Sequence, residues 1–246
     1  MLLRRSGMIC AALGVATAGS LVMGQSTIPF PAVAGSLILP GPVGALELSI
    51  DFPEASDARS GLAIVCHPHP LEGGTMHNKV VTMLARSLRE LGLATVRFNF
   101  RGVGLSEGSY DNGRGETLDL LSVAQWAQQA RPDFQLWLGG FSFGAWIALL
   151  GARHLRIAQV ISVAPPAGRW DFSAVLPPAC PWLVVQGEAD DIVAPQAVYD
   201  WLAKLDAHPT LVKMPDTGHF FHRRLMDLRG AIKNGVRRNL PPQVHG

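Results

Sequence analysis

Apolar residues recur along this chain with two periods, and the chain switches repeatedly between them. Leu46–Ile50 alternates apolar and polar positions, as a strand with one buried face does. Gly61–His67 is a continuous apolar run, which suits a strand covered on both faces. Asn78–Leu91 then spaces Val80, Val81, Leu84, Leu88 and Leu91 for one helical face and meets Gly92, a helix stop. Leu93–Phe100 reads as a strand. Gly115–Ala130 reads as a helix with acidic residues near its start and Pro132 beyond its end. Phe134–Gly140 is strand-like and Ser142–Ala152 helix-like. Further strands are expected at Ile157–Pro165, Pro181–Gly187 and Thr210–Pro215, and helices at Pro195–Leu205 and Phe221–Asn234.

Strands alternating with helices predict an α/β fold: a mainly parallel sheet with helices on both faces. A chain of 246 residues, 48% of them hydrophobic, can bury one substantial core. The sequence shows no repeat and no second domain. The expected domain spans 36–238, between an N-terminal extension, 1–35, and a flexible tail, 239–246. The longest irregular stretch inside it, Pro165–Ala179, is short for a cap domain.

Charge narrows the partners. With 21 basic and 19 acidic residues the net charge is +2, which gives no reason to expect nucleic acid. Arg223, Arg224, Arg229, Lys233, Arg237 and Arg238 read as the solvated face of a last helix, their positive charge suiting its C-terminal end. Cys10, Cys66 and Cys180 form no C-x-x-C pair, and free thiols are expected unless the chain is exported.

The N-terminal segment has two readings. Arg4 and Arg5 precede a small, apolar, uncharged stretch, and Ala16–Ala18 resembles a cleavage site, which is the form of an export signal. Alternatively Met23 is the true start and the protein is cytoplasmic. The stretch is short and rich in Gly and Ala for a membrane span, so no stable membrane insertion of the folded domain is expected.

Gly140-Phe141-Ser142-Phe143-Gly144 lies between a predicted strand and a predicted helix. A G-x-S-x-G turn in that place strains the serine backbone and pushes its hydroxyl out beyond the sheet, and side chains at the glycines would collide with the strand and helix. Ser142 is therefore a candidate nucleophile, and the N–H of Phe143, at a helix N-terminus, a candidate oxyanion donor. A serine nucleophile needs a base, and the base an orienting acid. Asp190 or the adjacent Asp191 follows the strand at Trp182–Gln186. His219 follows the strand at Thr210–Met214, with His222 a helical turn further on. In a parallel sheet those strand ends share one edge with Ser142. The turn after Gly61–His67 offers a second oxyanion donor: Pro68 and Pro70 have no N–H, which leaves His69 or Leu71. His67, His69 and His77 cluster in sequence, but the prolines fix a turn and Glu72 is the one nearby acid, so no metal site is assigned.

The chain resembles the α/β-hydrolases, and more narrowly small bacterial serine hydrolases grouped near dienelactone hydrolases. The segments that carry the resemblance are Cys66–Val81 (CHPHPLEGGTMHNKVV), Arg97–Gly108 (RFNFRGVGLSEG), GGFSFGA, Gly187–Pro195 (GEADDIVAP) and Gly218–His222 (GHFFH), within about Leu39 to Asn234. The chain order Ser, Asp, His is the order of that superfamily. The resemblance implies an ester or related acyl bond cleaved through an acyl-serine, with Ser142, Asp190 and His219 as the catalytic set, Phe143 and His69 as oxyanion donors, no cofactor, and a small-molecule acyl substrate. Acyl transfer or peptide cleavage by the same residues, and a non-catalytic binding module, are the alternatives. Dienelactone hydrolases use a cysteine nucleophile; Ser142 stands there, so that activity does not carry over. Arg101 is expected to make structural hydrogen bonds, and Phe143, Trp170 and Phe172 either to line an acyl pocket or to pack the core.

Overall fold

The computed structural model of the chain describes residues 28–173 and 175–244. The signal-like segment, Met23 and Cys10 lie outside the described residues. The strands are β1 (Gly35–Gly41), β2 (Gly44–Asp51), β3 (Gly61–Cys66), β4 (Ala94–Phe98), β5 (Gln135–Phe141), β6 (Gln159–Val163), β7 (Trp182–Gly187) and β8 (Thr210–Met214). They form one sheet in the order β1-β2-β4-β3-β5-β6-β7-β8. The pairings β1–β2 and β2–β4 are antiparallel, and those from β4 to β8 are parallel. The helices are α1 (Lys79–Arg89), α2 (Arg114–Ala130), α3 (Phe143–Ala152), α4 (Pro195–Leu202) and α5 (Leu225–Val236).

The sheet separates two cores, and strand alternation assigns residues to each. In β3, Leu62, Ile64 and Cys66 join the core that holds Leu120 of α2, Ile147 of α3 and Val198 of α4. Ala63 and Val65 face the other, with Leu84 of α1 and Ile232 of α5. A strand buried on both faces has no polar face to show, so β3 reads in sequence as an unbroken apolar run. Asn78 starts α1 by accepting a hydrogen bond from the Val80 N–H on its side chain at 2.9 Å.

Several segments differ from the sequence expectation. Strand β1 was not anticipated: it lies at the sheet edge, Leu39 is its one buried residue, and Pro40 is tolerated there because an edge strand need not donate on both sides. Helix α5 begins at Leu225 rather than Phe221, because Phe221 (φ 51°) and Arg223 (φ 61°) are left-handed and cannot continue a helix. Ahead of the sheet, Phe30 stacks on Trp126 at 5.2 Å, and the Trp126 indole N–H donates to the Ile28 carbonyl at 2.8 Å. Within the segment expected to be loose, Pro242 accepts from the Ser60 N–H at 2.9 Å, and the Val244 N–H donates to Ala58. Two of the basic residues expected on a solvated face, Arg229 and Lys233, hold Glu90 at the end of α1.

Among the described residues between Pro165 and Ala179 there is no helix or named strand, so no large cap covers the C-terminal edge of the sheet. No described helix is long and apolar enough to cross a membrane.

Candidate active site

The turn from β5 into α3 is tight enough to dictate its residues. Ser142 sits at φ 52°, ψ −121°, a conformation that L-residues rarely hold. A Cβ on Gly140 would lie 2.1 Å from the Gly144 carbonyl oxygen, and one on Gly144 would lie 2.3 Å from the Cys66 carbonyl oxygen. Both glycines are therefore required by close approach, and the second brings the start of α3 against the end of β3. The two phenylalanines flanking the serine pack in different directions. Phe141 packs on the His219 ring at 5.0 Å, and Phe143 packs on the His69 ring at 5.1 Å.

His219 and Asp190 arrive from separate loops. A Cβ on Gly187 would lie 2.2 Å from the Thr217 carbonyl oxygen, and the Ala189 N–H donates to that same oxygen at 3.0 Å. This close approach clamps the loop after β7 to the loop after β8. His219 Nδ1 lies 2.8 Å from Asp190 Oδ2, and its Nε2 lies 3.1 Å from Ser142 Oγ. A carboxylate only accepts, so Nδ1 carries the proton and Nε2 is left to accept from the serine hydroxyl. Asp190 Oδ1 accepts the N–H groups of Ile192 at 2.9 Å and Val193 at 2.7 Å. Burial alone would raise the Asp190 carboxyl. The His219 N–H and the Val193 and Ile192 amides outweigh it and hold the group below its ordinary value, as a carboxylate. Asp191 and His222 are exposed; neither takes part in the Asp190–His219–Ser142 line.

The loop after β3 faces the serine from the other side. The Leu71 N–H donates to His69 Nδ1 at 3.2 Å, so the neutral ring carries its proton on Nε2, which donates to Tyr110 Oη at 3.0 Å. With Leu71 so engaged, His69 is left of the two candidate backbone donors. Neither the His69 nor the Phe143 N–H is committed to another backbone acceptor among the described residues. Burial lowers the His69 imidazole; Glu72 and Glu116 oppose that shift and Arg169 adds to it. A cleft at Ser142 is lined by His69, Phe143, Pro166, Arg169, Trp170 and Ile192. Phe172 lies elsewhere, buried against Trp201 at 4.6 Å.

The remaining candidates take other roles. His67 is fully buried: Nδ1 donates to the Pro68 carbonyl at 2.6 Å and Nε2 accepts from the Phe100 N–H at 3.0 Å. Burial pulls its pKa down to about 4, and protonation would break the second bond. His77 is exposed, and no three His, Cys, Asp or Glu side chains among the described residues are arranged to hold a metal. Arg101 makes a buried ion pair with Asp119, 2.7 Å from Nη2 to Oδ1. Two polar contacts were not anticipated: Tyr110 on His69, and Gln186, whose Nε2 donates to Asp190 at 3.1 Å. Neither belongs to a sequence motif, since each depends on how separate loops meet.

No family model matches the chain. It is similar to an α/β serine hydrolase without a lid from Xanthomonas campestris, at 59% identity and a TM-score of 0.86, over 89% of this chain and 100% of that one. An α/β serine hydrolase homologue from Coxiella burnetii is 45% identical with a TM-score of 0.80, over 83% of this chain and 98% of that one. An uncharacterized protein of Rickettsia prowazekii is 36% identical over 204 residues, 79% of this chain and 85% of that protein.

Proposed function

This chain belongs to the α/β serine hydrolases, and on that premise we propose that it cleaves carboxylic esters, or related acyl bonds, through an acyl-serine on Ser142. The observation that carries the reading is the continuous line from Asp190 through His219 to the Ser142 hydroxyl, at 2.8 and 3.1 Å. The finer grouping near dienelactone hydrolases, suggested by the CHPHPLEGGTMHNKVV segment, is part of the same proposal.

The steps follow from the donors and acceptors. Ser142 Oγ attacks the acyl carbon while its proton passes to His219 Nε2. Asp190 keeps Nδ1 protonated and stabilises the imidazolium. The carbonyl electrons move onto oxygen, where the N–H groups of Phe143 and His69 are the proposed donors. Collapse breaks the bond to the alcohol, which leaves with the proton from Nε2. Water then attacks the acyl-serine, giving its proton to Nε2, and the acid departs as that proton returns to Ser142. The uncapped stretch after β6 favours small or extended acyl groups over long chains enclosed beneath a lid.

A fluorophosphonate probe tests this reading. Stoichiometric labelling of the wild type that is absent in Ser142→Ala is the expected result, and a screen of esters by acyl length would then define the substrate. Well-folded wild type that takes no label would overturn it and favour a non-catalytic binding role.

A further inference from the structure

The Asp190 carboxylate has about four acceptor positions, and all four are filled. Oδ1 takes the Ile192 and Val193 amides, and Oδ2 takes His219 Nδ1. The fourth donor is Gln186 Nε2, 3.1 Å from Oδ2. Gln186 is a wholly buried residue of β7, a strand otherwise apolar up to Gly187. The same Nε2 donates to the Gly187 carbonyl at 3.1 Å, while Gln186 Oε1 finds no partner among the described residues.

That imbalance is informative. A carboxamide can turn over and exchange its oxygen and nitrogen. Here the exchange would aim Oε1 at a carboxylate and a carbonyl, both acceptors. The amide is thus held in the one orientation that serves Asp190, although this leaves its own oxygen buried and unpaired, an arrangement that costs stability. A packing role alone would be met better by an apolar side chain of similar size in this strand.

We propose that Gln186 is a positioning residue: its amide fixes the plane of the Asp190 carboxylate against His219 and competes with the imidazole for Oδ2. The proposal rests on the reading of Ser142, His219 and Asp190 as a working set. Two backbone amides pin Oδ1, but among the described residues rotation about Cβ–Cγ is opposed at Oδ2 by His219 and Gln186 alone. Without Gln186 the orientation of the base loosens. The carboxylate also becomes a stronger acceptor for Nδ1.

Gln186→Met keeps the shape and removes the donor. The fluorophosphonate labelling rate should fall about tenfold, with KM for a short ester within about twofold of wild type. The proton NMR resonance of the His219 Nδ1 proton should move downfield. A labelling rate and a resonance equal to those of wild type would overturn the proposal. Should Gln186→Met fail to fold, the Gln186 side-chain amide resonance decides. It should shift in Asp190→Ala relative to wild type, and an unchanged position would sink the idea. The resonances do not depend on turnover, so wild type that takes no label would refute the esterase reading while the test of Gln186 still stands.

Discussion

Two glycine-rich turns, each containing a serine, leave the same edge of the sheet, one after β4 and one after β5. In sequence they look alike: Arg101–Gly108 and Gly139–Ala145 each place a serine near glycines beyond a strand. Their serines are engaged in opposite ways. Ser106 donates to the Asn99 carbonyl at 2.7 Å and accepts from the Glu47 N–H at 2.9 Å, so its hydroxyl is committed to backbone. Beside it, Arg101 meets the wholly buried Asp119 side chain through Nε and Nη2, at 3.0 and 2.7 Å. Ser142 instead presents its hydroxyl to His219 from a strained backbone. A serine in such a turn is a fastener or a candidate nucleophile according to what faces its oxygen, and the turn's composition does not say which.

Three experiments test that contrast. Ser142→Ala should reduce ester turnover by about ten-thousand-fold with little change in melting temperature. A modest loss would place the chemistry elsewhere. Arg101→Met should do the reverse, removing about 3–5 kcal/mol of stability because it leaves the Asp119 charge buried without its countercharge, held by the Arg101 backbone N–H. The labelling rate per folded molecule should be retained. Urea unfolding measured beside active-site titration separates the two effects. Ser106→Ala should cost about 1–2 kcal/mol, again without changing the labelling rate; a lost rate would mean that the two turns are coupled.

The smallest effect belongs to Glu90, far from both turns. Burial would raise its carboxyl, but Arg229, Lys233 and Arg86 outweigh it and hold the group down to about 2. A folded-state pKa below the unfolded one adds stability that is full above the ordinary carboxylate range and is lost as pH falls toward about 2. The site is partly solvated, so Glu90→Gln should cost less than about 1 kcal/mol at neutral pH. The gap from wild type in unfolding free energy should narrow between about pH 5 and pH 3. A gap that is constant across that range would show that the cluster's charge contributes nothing.

Legibility follows the range of the interactions. The apolar runs of β3, β5 and β7 and the helical stripe of α1 are local patterns, and they announce their elements. Strand β1 has one buried residue and no pattern to read. The start of α5 depends on left-handed residues at Phe221 and Arg223 that hydropathy does not register. At the candidate site, Ser142, two acids and two histidines stand out by type and by their place after strands. Their partners do not: Phe141 on the His219 ring, Tyr110 on His69 and Gln186 on Asp190 carry no spacing signal.

By itself the sequence determined the order of strands and helices from β2 onward, the burial of β3 on both faces, and which residue types stand at the strand ends. These follow from side-chain period and from backbone geometry near glycine and proline, properties of a few neighbouring residues. Only the tertiary structure decided the strand order across the sheet and which carboxylate reaches which imidazole. Asp190 and His219 are 29 residues apart, and Ser142 and His219 are 77 apart. Their meeting depends on crossover connections and on a Gly187–Thr217 approach that leaves no room for a Cβ. Such contacts are set by the packing of whole elements, which no local pattern encodes.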